Sequence, residues 1–372
     1  MKIVAAFDSF KGSLSAQDIV TIVGKAVRTT LPNATITELP LADGGEGTTE
    51  ALAHYLNASW QICNAHDALM RPITTKYAIS SNGTTAIMDM ASAAGLTLLS
   101  SEERNPMLTT TFGVGEMLKD AISKGCKHIL LGIGGSATND AGIGMLAALG
   151  VKFYDNHKRE VTPVGKNLKL ISSVDLSKII NLKTITIDVI CDVTNPLYGP
   201  NGAAHIYAKQ KGANSTEIIE LDNGLRHFAT LCTTNPNTSG AGAAGGLGYA
   251  LLSLNANLKN GAEIVLETAQ LAHHIQDADL IFTGEGKIDE QTLCGKLPFA
   301  VLQMAKHIQK PVIALAGCVE NKDKLLTAGF KDVQSINALY NPNVPITELM
   351  KTSVAAENLY NTVVLILDKY SQ

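Results

Sequence analysis

The chain has 372 residues, 45% of them hydrophobic, 17% charged and only 5% aromatic. That is too long for one ordinary domain and predicts two α/β domains, each with a sizeable core. Net charge is −4 with no run of Lys or Arg, which argues against a nucleic-acid partner. The N-terminal apolar run is cut short by Asp8, and the longest uncharged stretch, 229–258, is broken by Thr, Asn, Pro, Ser and Gly. Neither a signal peptide nor a bilayer span is expected, and the expected compartment is the cytoplasm. The six cysteines form no CxxC and no Cys/His ligand set, so buried thiols are expected rather than disulfides.

In chain order, an apolar strand over 2–7 leads to a helix opened by the S-x-x-D signal Ser15 to Asp18. Ile19, Val20, Val23, Ala26 and Val27 then repeat at helical spacing. A second strand over 35–39 and a helix over 45–56 complete a parallel, doubly wound opening. Three strand-like runs follow, 60–65, 74–79 and 84–90, with Asn82-Gly83 as a hairpin turn. Helical spacing returns over 113–123, followed by a strand over 128–133 and a helix over 140–149. Residues 151–214 read as strand-rich and irregular, including 186–191, and helices dominate 216–271. The end alternates again: strand 280–283, helix 296–308, strand 312–316, a short helix, strand 332–336 and a last helix with Ala356, Tyr360, Val363 and Leu367 on one face. The expectation is an α/β protein of two domains. A discontinuous doubly wound, flavodoxin/Rossmann-like parallel-sheet domain takes 1–58, 95–150 and 255–372; an inserted mixed α+β domain takes 59–94 and 151–254, with the site in the cleft between them.

Five segments join glycines to small polar and acidic residues near strand ends, which face the ligand crevice of an open α/β sheet. In the first, Asp8 to Ser13, Ser9, Lys11 and the helix start can hold an anion; a capped turn with a surface lysine is the plainer account. The second, Leu41 to Thr48, packs Asp43 and Glu46 among three glycines, so that Asp43 can fix a hydroxyl and Glu46 can begin a helix. The third, Gly132 to Asp140, reads as a helix N-terminus facing phosphate or substrate through Gly134, Gly135, Ser136, Thr138 and Asn139. It also fits G-x-G-x-x-A, with Asp155 near the distance of a ribose partner, which keeps an NAD-dependent oxidoreductase open. The fourth, Cys191 to Gly199, sets Asp192 at a strand end as general base or Mg²⁺ ligand, with Asn195 nearby; an Asx turn before Pro196 is the alternative. The fifth, Thr283 to Asp289, gathers Glu285, Lys287 and Asp289 around a glycine turn and leads to Lys296. A further cluster, Gly240 to Gly248, follows no strand and reads as close packing or backbone approach to a ligand.

No Walker phosphate loop, H-E-x-x-H or G-x-S-x-G elbow is present. The residues alone support an α/β enzyme acting on a small anionic or phosphorylated ligand. Taken in order, however, DSFKGSLSA (8–16), PLADGGEGT (40–48), GIGGSATND (132–140), CDVTNPLYG (191–199), GAGAAGGLG (240–248) and TGEGKIDEQT (283–292) resemble the bacterial glycerate kinase family from end to end. Only Ala141, where the pattern leads one to expect Gly, departs from it. The resemblance implies a two-domain enzyme closing over D-glycerate and Mg–ATP, in glycerate, glyoxylate or glucarate catabolism, without nucleic acid or membrane as partner. It favours 2-phosphoglycerate as product over 3-phosphoglycerate; a non-catalytic sugar-acid sensor is the other alternative.

Residue chemistry and motif position then assign roles. Asp192, Lys11 and Asp43 are the candidate catalytic residues. Ser9, Gly134, Gly135, Ser136, Thr138, Asn139, Asn195, Lys287 and Lys296 are candidate substrate or phosphate contacts, and Glu285 and Asp289 candidate Mg²⁺ ligands. No oligomeric state is legible.

Overall fold

The computed structural model describes residues 1–44, 47–338 and 344–370. The chain divides into two compact units, Met1–Leu52 with Gly261–Gln372, and Ala53–Asn260. In chain order the strands are β1 (Lys2–Phe7), β2 (Thr35–Pro40), β3 (Ser59–His66), β4 (Pro72–Ile79), β5 (Thr85–Asp89), β6 (His128–Gly132) and β7 (Lys152–Tyr154). They continue with β8 (Ser173–Asp175), β9 (Thr186–Ile190), β10 (Asn257–Lys259), β11 (Leu280–Ile288), β12 (Val312–Val319) and β13 (Asp332–Ser335).

The first unit holds a parallel sheet in the order β13-β12-β11-β1-β2. Renumbered within the unit this is 2-1-3-4-5, the flavodoxin-like doubly wound order, whose switch point lies between β1 and β11. A parallel sheet must be covered on both faces. On one face Ile3, Ala5 and Phe7 join Ile19, Val20 and Val23 of the helix Ala16–Thr30 and Leu359 and Val363 of the helix Thr352–Leu367 in one apolar cluster. On the other, Val4, Ala6, Ile281, Val312 and Ala314 are just as buried. The helix Ala16–Thr30 starts where the S-x-x-D signal puts it. Ser15 Oγ accepts the Asp18 N–H at 3.1 Å, and Asp18 returns the bond to Ser15 N.

The second unit carries a mixed sheet, β10-β9-β6-β5-β4-β3, antiparallel across β3, β4 and β5 and parallel from β5 onward. β7 and β8 pair separately. The β4–β5 turn uses Gly83 at φ +74° and Asn82 Oδ1, which accepts the Thr84 N–H at 3.0 Å.

Three local expectations are revised. Residues 95–150 lie in the second unit, because β6 bonds to β5 and β9 rather than to any strand of the first sheet; residues 255–260 join them through β10, which pairs with β9. The helix expected over 140–149 shortens to Ile143–Ala148, since Asp140 turns inward to serve as a bond acceptor. Residues 283–288 form no turn but continue β11, with Gly284 opposite Leu315 and Lys287 opposite Cys318. Glycine is required there: a Cβ on Gly284 would sit 1.9 Å from the Leu315 carbonyl oxygen, a backbone atom fixed in the ladder. Gly284→Ala is expected to lower the unfolding free energy by about 1–3 kcal/mol in urea titration, as overpacking does.

Candidate active site

The carboxyl ends of β1, β11 and β12 and the segment after β13 surround a cavity of about 520 Å³ in the first unit. This is the switch-point edge of a doubly wound sheet, where such folds bind ligands, and the volume is that of a small-molecule pocket. Of the candidate residues, Ser9, Lys11, Asp43, Glu285, Lys287 and Lys296 all line it, together with Asp8. Asp8 directly follows β1. Its N–H donates to the Gly284 carbonyl at 3.1 Å, and its Oδ1 accepts the Ser9 N–H at 2.6 Å. It is 2% exposed. Burial first, then the charge of Asp43, pushes its carboxyl up to about 7; the Ser9 N–H and Lys11 pull the other way, and Glu285 adds to the rise.

Lys11 reaches Asp43 at 3.6 Å. Glu285 is buried, accepting from Thr292 Oγ1 at 2.7 Å and Lys296 Nζ at 3.3 Å, and burial raises its pKa. Lys287 pairs with Glu320 at 3.0 Å and with Asp289 at 3.3 Å, while Asp289 Oδ1 accepts the Gln291 N–H at 2.9 Å. Carboxylates and lysines thus alternate around the edge, with carboxylate charge in excess close to Asp8. Glu46 lies outside the described residues.

The other candidates belong to the second unit. Gly134 and Gly135 are exposed after β6, with Gly135 at φ +67°. Ser136, Thr138 and Asn139 are buried, and Thr138 Oγ1 and both amide atoms of Asn139 have no bond partner among the described residues. Asp140 is wholly buried and accepts from Thr111 N and Oγ1, both at 2.8 Å, and from Gly142 N at 3.0 Å. Lys211 Nζ donates to Ser136 Oγ at 2.6 Å and to the Thr138 carbonyl at 2.8 Å. The Gly240 to Gly248 cluster approaches this loop: a Cβ on Gly245 would meet the Thr138 carbonyl at 2.0 Å, and Ala141 N–H donates to Gly245 O at 3.0 Å. Its glycines let two backbones pass. Asp192, exposed after β9, accepts from Asn260 Nδ2 at 2.9 Å. Asn195 spends its amide on the Asn201 carbonyl at 2.8 Å and the Tyr207 hydroxyl at 2.6 Å.

A dinucleotide site would open a helix directly on the glycine run. Here the helix starts only at Ile143, after Gly142 at φ +73°, and Asp155 is held in its own turn by Arg159 at 2.8 Å.

A family model described as the glycerate kinase family matches residues 3–369. The chain belongs to the glycerate kinase family. It is 44% identical over 324 residues to the glycerate 2-kinase of Escherichia coli K12, 85% of each chain being covered. It is 40% identical over 371 residues to a glycerate kinase of Bacillus cereus, covering 97% of this chain and 96% of the other. A crystal structure from Salmonella typhimurium LT2, "putative glycerate kinase 2", superposes with a TM-score of 0.89 at 38% identity over 100% of this chain and 98% of that one.

As a glycerate kinase family member the chain is an enzyme of the kinase class. Among the described residues no helix is long and apolar enough to cross a membrane. Sequence reasoning passed over two residues of its loops. Asp8 belongs to the same motif as Lys11, and its place directly after β1, beside two other acidic loops, is the signal that marks it. Lys211 lies in no glycine motif, and nothing in Lys209-Gln210-Lys211 marks one lysine as buried.

Proposed function

We propose that the chain transfers the γ-phosphoryl group of ATP to the 2-hydroxyl of D-glycerate, giving 2-phosphoglycerate, and does so in the cytoplasm. The observation that carries this reading is the first-unit cavity, where a buried carboxyl poised near neutrality sits among lysines at the switch-point edge. Phosphoryl transfer asks for an oriented hydroxyl and cancellation of charge on the transferring oxygens. Asp8 is suited to take the hydroxyl proton, with Asp43 beside it to orient the acceptor. Lys11, Lys287 and Lys296 supply positive charge for phosphate or carboxylate, and Ser9 a hydroxyl donor. In the second unit, Asp192 is the proposed hydroxyl orienter and the loop 134–139, with Asn195, the proposed anion contact. The name of the Escherichia coli relative supports the 2-position.

The residues fit Mg²⁺. Beside Asp8 the carboxylates of Asp43 and Glu285 face the one lysine, Lys11, whose charge acts on it, although burial is the larger cause of its raised pKa. Among the described residues no three His, Cys, Asp or Glu side chains converge on one point; Mg²⁺ usually takes one or two protein carboxylates and fills its shell with phosphate and water. Glu285 and Asp289 each retain acceptor capacity beyond the bonds they make and would hold the ion, which supplies charge cancellation on the phosphoryl oxygens when bound.

Incubation with D-glycerate and Mg–ATP, read by phosphorus NMR, tests activity and regiochemistry together. The expected signal is the 2-phosphate ester; no ester above a no-enzyme control defeats the reading. Lys11→Ala and Asp192→Asn are each expected to cut turnover at least about a hundredfold. Normal folding with near-wild-type turnover in either variant would remove that residue from the set.

A further inference from the structure

The mixed sheet of the second unit ends on β3, which pairs with β4 on one side and, among the described residues, with no strand on the other. Just past that register the Asp67 N–H donates to the Arg71 carbonyl at 2.9 Å. Bonded positions alternate in an antiparallel pair. The odd-numbered residues of β3 therefore turn their backbone toward β4, and the even-numbered ones turn theirs outward. Two flanking even positions already have partners: the Ala58 N–H donates to the Ala53 carbonyl and the His66 N–H to Glu116 Oε2, both at 2.8 Å. Between them lie Trp60, Ile62 and Asn64. Among the described residues their N–H groups have no acceptor, and of their carbonyls only that of Asn64 has a donor, the Cys63 thiol at 3.4 Å.

Exposed edges are usually blunted by a charge, a proline or a bulge. β3 has none of these: Ser59–His66 contains no Asp, Glu, Lys, Arg or Pro, and its register with β4 runs without a slip. Trp60 is 43% exposed, and Ile62, at 74%, is the most exposed large apolar side chain among the described residues. The Lys76 ammonium, from β4, lies 4.4 Å from the centroid of the Trp60 ring, on the face of the sheet rather than in line with its edge.

An outward row centred on Ile62 is complementary to its own reversed copy. We propose that β3 pairs antiparallel with the β3 of a second copy of this chain about a two-fold axis at Ile62, so that the two mixed sheets run on as one. Ile62 then faces the partner's Ile62, and Trp60 and Asn64 face the partner's Asn64 and the partner's Trp60. Each of these residues turns both N–H and C=O outward, so every pair is of the hydrogen-bonded kind and the whole row is satisfied. No carboxylate or ammonium of β3 is brought against its copy, although the chain as a whole carries −4. A two-fold contact of this kind closes on itself and leaves no β3 open to a third chain. The pairing is independent of the kinase reading.

Sedimentation velocity of the full chain at about 100 µM is expected to show a dimer. Ile62→Pro removes an outward N–H and no bond to β4, and Ile62→Lys supplies the charge that the edge lacks. Both variants are expected to sediment as monomers at that concentration with unchanged far-UV circular dichroism. Hydrogen exchange of the wild-type chain gives a readout that needs no variant. The amides of Trp60, Ile62 and Asn64 face water in a monomer, and in the dimer they are expected to exchange at least about tenfold more slowly than in an unfolded chain. A wild-type chain that is monomeric at about 100 µM overturns the proposal and leaves the edge to an extended segment of another protein. A dimer that both variants retain, or one whose β3 amides exchange at the unfolded rate, overturns it as well.

Discussion

Asp8→Asn is expected to lower turnover about a thousandfold and to abolish the acid limb of the pH profile of kcat/KM, which in the wild-type protein should fall off below about pH 7. Asp8 is the one carboxyl of the cavity pushed to about 7, by burial and by Asp43. Its ionised form, needed to accept a hydroxyl proton, predominates only above that value. The same shift carries a stability statement. The folded-state pKa lies above the ordinary 3.8, so the folded protein binds the proton more tightly than the unfolded chain. Stability contributed by the protonated carboxyl is therefore lost as pH rises from about 4 to about 7, and the full penalty remains above that. The three or so pH units correspond to an upper bound of about 4 kcal/mol. In Mg²⁺-free buffer at pH 8 the Asn variant should accordingly be more stable to urea than wild type, with the gap closing toward pH 4. A variant with wild-type turnover and an unchanged acid limb would remove Asp8 from the chemistry.

The second large effect concerns Lys211. Lysine is almost never fully buried without an anionic partner, yet Lys211 is 3% exposed and, among the described residues, bonded only to a hydroxyl and a carbonyl. Burial pulls its pKa down to about 7, partly opposed by Asp140. Lys211→Ala leaves a cavity and strips Ser136 and the Thr138 carbonyl of a donor, a loss of about 3–5 kcal/mol in denaturant unfolding. Lys211→Met keeps the volume and loses only the bonds, so it should fall well short of that. The sign of the pH dependence follows from the lowered pKa. Between about pH 7 and 10.5 the unfolded chain holds a proton that the folded one does not, so the wild-type protein gains stability over Lys211→Met as pH rises through that window. A pH-independent difference between the two would show that Lys211 keeps an ordinary pKa.

Much of the first sheet was readable because its signals are local. The alternating strands, the Ser15–Asp18 capping box and the helical spacing of Ile19 to Val27 each bear on nearby backbone bonds. The assignment of β6 was not readable: a strand followed by a helix looks alike in either sheet, and only its pairing with β5 and β9 decides. Glycines misled in one direction. The run at 283–288 looked like a turn and is a strand whose glycines admit the neighbouring backbone, while the run at 240–248 hides three residues of positive φ, Ala244, Gly245 and Gly246, within a helical stretch. The candidate side chains of the first unit were named because charges clustered in glycine loops; Lys211 was not, because burial of one lysine in a basic triplet is a tertiary fact.

The route of the chain sets an order of assembly. Lys2 bonds to Asp279 across 277 residues, whereas residues 53–260 form one uninterrupted unit. At roughly 5–20 residues per second of synthesis, that inner segment can condense while β1, already able to pair with β2, still lacks its other neighbour β11. Long-range closure of this kind is slow, because the loop entropy must be met before the pairing gives anything back. The strand that positions Asp8 is thus made well before β11, the strand that encloses it on one side.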